Sequence, residues 1–129
     1  MSTAMPSTAS PEQVLDAIVD GINSGNLTAL MPLYEREAAF AAQPGSLAHG
    51  APGISEALAG FISMKGELDL EVTRVLEAGD LALVIGTWSF DGTGPDGEPV
   101  RLSASNADVL RRQADGTWRF VIDNPWGTA

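Results

Sequence analysis

The residues best placed to do chemistry lie between Ser103 and Trp126, in the stretch SASNADVLRRQADGTWRFVIDNPW. Asn106, Asp108, Asp123 and Asn124 interrupt runs that are otherwise apolar, β-branched or aromatic. A polar side chain on a buried strand face is costly unless something satisfies it. These four therefore either brace the fold or line a cavity. On a strand, Asn106, Asp108 and Leu110 share one face, and Ser103, Ser105, Ala107 and Val109 share the other. If the Asn106 face lines a cavity, burial raises the pKa of Asp108 and makes it a competent acid, with Asn106 orienting a ligand. The opposing reading makes Asp108 a brace paired with an arginine such as Arg119 on the next strand. Asp123 and Asn124 are expected beside a ligand, although Asp123-Asn124-Pro125 also reads as a strand end whose side chains bond their own backbone.

His49 is the only histidine in the chain. It lies in a loop expected near the mouth of any cavity, and imidazole titrates near neutrality. It is a second catalytic candidate, against the alternative of a solvated loop residue. Trp88, Trp126 and Tyr34 complete the expected ligand contacts. Trp88 is also read as core, and Trp126 as packing near the end of the chain or in a dimer contact. No Glu-x-x-His or His-x-His spacing is present, so no metal is expected. No serine sits in a Gly-x-Ser-x-Gly elbow. Gly92-Thr93-Gly94 falls in a hairpin, the wrong context for phosphate binding. No cofactor is expected.

Composition sets the outer bounds. At 129 residues, with 44% hydrophobic and 19% charged residues, the chain reads as one folded domain. Absence of cysteine removes disulfides and thiolate metal sites. A formal charge of −10 repels phosphates and anionic lipid, so neither nucleic acid nor a membrane is an expected partner. No apolar run approaches the roughly 20 residues of a bilayer span. The start, MSTAMPSTAS, resembles no secretory signal, and a cytoplasmic location is the expectation.

The elements that must position these residues follow from periodicity. Residues 1–9 read as a disordered tail. Ser10-Pro11-Glu12-Gln13 is a helix start, followed by Val14, Leu15, Ile18, Val19 and Ile22 at helical spacing, with Gly25 as the stop. Asn26 caps a second helix through about Tyr34, which Pro32 should kink or end early. Ala38 to Ala42 reads as a short strand, Gln43 to Gly53 as a loop, and Pro52 to Met64 as a third helix. After Gly66 the period becomes two: Leu68, Leu70 and Val72 alternate with polar residues. Leu81 to Phe90 reads as a strand buried on both faces. Asp91 to Pro99 is a hairpin loop, and strands at Val100 to Arg112 and Trp118 to Asn124 flank a turn at Ala114 to Thr117. The expected class is α+β: a cone-shaped, curved antiparallel sheet of four long strands wrapped around three N-terminal helices, occupying residues 10–129.

This order resembles the nuclear transport factor 2-like superfamily, and within it the SnoaL-like and ketosteroid-isomerase-like small proteins. Three stretches carry the likeness: Gly25-Asn26-Leu27 through Leu33-Tyr34; His49-Gly50 with Gly53-Ile54; and Asp108 through Arg112 with Asp115-Gly116-Thr117-Trp118. The resemblance implies a homodimer through the outer sheet face and a pocket for a small, largely apolar molecule. It points to a cyclase or isomerase acting on an apolar carbonyl or polyketide-like substrate. The ketosteroid isomerase base is not matched. Ala42 or a neighbour occupies its position, Ile18 lies near the tyrosine position, and no carboxylate occurs between Glu37 and Glu56. Limonene epoxide hydrolases of the same superfamily imply another use, with Asp108 and Asp123 flanking a water. Asn106 stands where their arginine would be. A non-catalytic ligand-binding or dimerisation module is the third reading.

Overall fold

The computed structural model describes residues 8–129. Helix α1 spans Pro11–Ser24, α2 spans Leu27–Leu30, and a 3-10 turn covers Met31–Leu33. Strands β1 (Tyr34–Gln43) and β2 (Ser46–His49) precede helix α3 (Gly50–Ser63). Strands β3 (Glu67–Ala78), β4 (Leu81–Thr93), β5 (Pro99–Arg112) and β6 (Trp118–Asp123) follow. Their order in one curved, unclosed sheet is β2-β1-β6-β5-β4-β3.

Local chemistry explains the helical layer. The Ser10 hydroxyl accepts from the Gln13 N–H at 3.2 Å, and Pro11 opens α1. Such a cap stabilises a helix by about 1 kcal/mol. Val14, Leu15, Ile18 and Ile22 form the buried stripe of α1, each contributing roughly 1.5–3 kcal/mol on full burial. Gly25 closes the helix at φ +67°, a left-handed conformation natural to glycine. Asn23 then clamps the start of β3: its side chain donates to the Leu68 carbonyl at 3.0 Å and accepts from the Leu68 N–H at 2.7 Å. That bond ties α1 across the open edge of the sheet.

The expected α+β cone with three helices is present, with several differences in detail. The sheet is mixed and six-stranded, not a set of four antiparallel strands, because β1 runs parallel beside β6. Pro32 ends the second helix early, and Tyr34 belongs to β1. The Gln43 to Gly53 segment contains β2 and the start of α3. Strand β4 is buried on one face only: Ala82, Val84, Gly86, Trp88 and Phe90 point inward, while Leu81 and Leu83 are each 38% exposed. The sheet is a single layer there, with helices on its concave side alone. The tail expected at 1–9 lies largely outside the described residues. Within the described part, the Thr8 carbonyl accepts from the Trp118 N–H and the Ala9 N–H bonds Gln13.

Two irregularities shape the concave face. In β3, Val72 pairs with Gly86 but Arg74 pairs with Ile85, so Thr73 is an extra residue that bends the strand. A Cβ on Gly86 would lie 2.4 Å from the Glu71 carbonyl oxygen, so only glycine admits this close approach. In β6, Phe120 pairs with Leu110 and Ile122 with Val109, leaving Val121 as a bulge. Phe120 and Asp123 consequently both point inward.

Candidate functional site

The concave face of the sheet and the helices enclose a cavity of about 70 Å³. Leu15, Ile18 and Ile22 of α1 and Leu58 and Phe61 of α3 form its helical wall. Its sheet wall includes Phe40, Leu68, Leu70, Trp88, Phe90 and Phe120. The polar lining is Tyr34, Asn106, Asp108 and Asp123, with no lysine, arginine or histidine among the lining residues.

These four polar residues form one cluster built on two hydrogen-bonded pairs. The Tyr34 hydroxyl donates to Asp123 Oδ2 at 2.5 Å. The carboxyl groups of Asp123 and Asp108 are close enough for each to shift the other's titration. Asn106 donates through Nδ2 to Asp108 Oδ2 at 2.8 Å. The backbone N–H of Asn124 donates to Asp108 Oδ1 at 2.7 Å. Tyr34 stacks on Phe120 with ring centroids 5.1 Å apart, which holds the phenol in place.

The electrostatics separate the two carboxyls. Burial pushes Asp123 well above the ordinary aspartate range, and the neighbouring Asp108 charge pushes it further. Burial also raises Asp108, but hydrogen bonds from Asn106, the Asn124 N–H and Asp123 oppose that rise. Both carboxyls are thus driven toward the protonated form, Asp123 more strongly. Tyr34 is also pushed well above its usual range, by burial and then by the Asp123 charge, and stays a neutral donor. No cation is among the lining residues, so burial and mutual repulsion favour a proton on the pair.

The structure thus brings together Tyr34, Asn106, Asp108 and Asp123, with Trp88 in the same lining. Asp108 is not paired with Arg119; its partners are Asn106, Asn124 and Asp123. Asn124 contributes its backbone N–H, while its side chain turns away to the Gly127 carbonyl at 2.8 Å. Trp88 donates its indole N–H to the Pro125 carbonyl at 2.5 Å and meets Trp126 edge-on, centroids 5.3 Å apart. Trp126 lies outside the cavity lining, on a neighbouring outer groove that shares Phe61 with it. His49 is exposed at the N-cap of α3 and is not among the lining residues. Phe61, not among the residues singled out from the sequence, lines both cavity and groove. Among the described residues, no group of three or more His, Cys, Asp or Glu side chains is placed to hold a metal ion. None of the described helices is long and apolar enough to cross a membrane.

Comparison with known proteins agrees with this architecture. A nuclear transport factor 2-like superfamily protein from Salmonella enterica superposes with a TM-score of 0.78 at 18% identity, covering 91% of this chain and 87% of that one. A proposed dehydratase of the same family from Streptomyces avermitilis gives 0.75 at 17% identity, covering 88% and 90%. A ketosteroid isomerase-like protein from Erwinia carotovora atroseptica gives 0.71 at 19% identity, covering 90% and 92%. At these identities the likeness establishes the fold. No curated protein matches the sequence. The description of the SnoaL-like domain matches residues 15–121, and the chain belongs to that family.

Proposed function

We propose that this protein is a proton-transfer enzyme for a small, uncharged, largely apolar molecule bearing an oxygen function, with Asp108 and Asp123 as its acid–base pair. The observation that carries this reading is the carboxyl pair itself. It is buried in an apolar lining with no cation among the lining residues, and burial drives both acids toward the protonated form. A purely structural brace is better served by an arginine or by apolar packing. A proton-sharing pair supplies both halves of general acid–base catalysis: one carboxyl gives a proton to substrate oxygen while its partner accepts one from carbon or water. The exchange is balanced, and the site ends with one proton as it began. Tyr34 and Asn106 orient the pair from its two ends. The structural neighbours include a proposed dehydratase and an isomerase-like protein, and both names are compatible with chemistry of this type.

Cavity size narrows the substrate. An engineered cavity of about 150 Å³ accommodates benzene, and the space here is about half of that. A polyketide-sized substrate does not fit this space as it stands. Epoxide opening is the second reading, favoured by the juxtaposition of Asp108 and Asp123. Asn106 cannot supply the positive charge that keeps one aspartate ionised in an Asp-Arg-Asp arrangement, so isomerisation or elimination ranks above it.

The test is turnover of small ketones, alcohols and epoxides followed by NMR in D2O, with wild type and Asp108→Asn compared. One substrate class is expected to react, with the rate falling by about 10²–10⁴ in the variant. Absence of turnover in every class, or an Asp108→Asn variant as fast as wild type, overturns the proposal.

A further inference from the structure

One buried acceptor on a cavity-lining residue has no hydrogen-bond partner among the described residues. Asn106 is 2% exposed, lines the cavity, and its Oδ1 makes no hydrogen bond. Asn106 presents its Nδ2 N–H to Asp108 Oδ2 at 2.8 Å and leaves Oδ1 as the free end. The oxygen sits above Gly86, where a Cβ would come within 2.9 Å of it. Nothing larger than glycine at this strand position would leave the oxygen room. A buried acceptor left unmade is costly, so a ligand that donates to it gains affinity that a non-donor does not.

We infer that the ligand is a small hydroxyl compound, bound with its O–H donated to Asn106 Oδ1 and its oxygen facing the Asp108–Asp123 pair. A hydroxyl is the simplest group that both donates and accepts. A ketone only accepts, and an ammonium only donates. Asn106 and the carboxyl pair adjoin, since Asn106 Nδ2 is itself bonded to Asp108 Oδ2, so a hydroxyl that meets Oδ1 lies beside the pair. The cavity of about 70 Å³ limits the rest of the molecule to less than a benzene ring. This inference rests on the cavity being the substrate site, and it names the substrate's functional group.

NMR titration of the intact protein with four probes of one shape tests it: 2-propanol, acetone, 2-chloropropane and 2-aminopropane. The alcohol is expected to bind about tenfold more tightly than acetone or 2-chloropropane. It should also shift the side-chain carbonyl carbon of Asn106. Asn106→Leu is expected to abolish the preference. Should that variant not fold, the wild-type carbonyl shift decides. Equal or tighter binding of acetone, 2-chloropropane or 2-aminopropane, saturation by none of the four, or a preference that survives Asn106→Leu overturns the inference. Because only binding is read, it fails separately from the catalytic reading. An Asp108→Asn variant that loses turnover, beside a wild type with no alcohol preference, would sink the substrate assignment alone.

Discussion

Phe120 and Asp123 point to the same side of β6 although they are three residues apart, because Val121 is a bulge opposite the Val109–Leu110 step of β5. In an unbroken strand that spacing would place them on opposite faces. The bulge brings Asp123 to Asp108 and to the Tyr34 hydroxyl. The candidate chemistry depends on this one extra residue.

Asp123 makes stability depend on pH in a defined direction. Its folded pKa lies above its unfolded one, so the native state binds more protons between the two values. Its contribution is complete below the ordinary aspartate pKa of about 3.9 and is lost as pH rises toward the folded value. Asp123→Asn mimics the protonated acid, with a carbonyl to accept from Tyr34 and an N–H to give Asp108. Denaturant unfolding from pH 4 to pH 8 should show wild type losing stability from this group and the variant losing less. At pH 8 the variant should be the more stable of the two.

Tyr34→Phe removes the donor that favours ionisation of Asp123. The Asp123 titration should move upward, read by the carboxyl carbon shift. Stability should fall by about 1–2 kcal/mol for one lost hydrogen bond to a buried carboxyl. An unmoved titration would separate Tyr34 from the pair.

Gly86→Ala places a methyl group 2.4 Å from the Glu71 carbonyl oxygen and 2.9 Å from Asn106 Oδ1. Since one contact is backbone, the strand must shift, and a loss of about 1–3 kcal/mol is expected. Gly60, on the exposed side of α3, has nothing within 4 Å of its added Cβ. Gly60→Ala should instead stabilise by about 0.5–1 kcal/mol through helix propensity. Thermal unfolding of both variants measures the contrast.

Leu76, Leu83, Val109 and Ile122 are successive cross-strand neighbours on the outer face of β3, β4, β5 and β6. Three of them are large and exposed: Leu76 at 46%, Leu83 at 38% and Ile122 at 40%. The homodimer implied by the family resemblance would cover this row. Sedimentation should give twice the chain mass for wild type and the single-chain mass for Leu83→Glu. A wild type that sediments as a monomer removes the second copy from consideration.

Much of this arrangement was legible in the residues alone. The Ser10 cap, the α1 stripe and the Gly25 stop are local signals, written within a few positions of where they act. The alternation that sets Asn106, Asp108 and Leu110 on one face is likewise local, and the buried pattern of β5 follows it. Three matters were decided by tertiary structure. The parallel pairing of β1 with β6 joins residues more than 80 positions apart, as in Tyr34↔Phe120, and no periodicity encodes such a pairing. The bulge at Val121 reverses parity in β6, and its sequence, Phe120-Val121-Ile122-Asp123, reads equally well as a regular strand. The exposure of His49 depends on where β2 lies at the sheet edge. Side-chain periodicity records which way a residue faces relative to its own neighbours. Which groups then share a cavity is set by strand order and register, and those are properties of the whole folded chain.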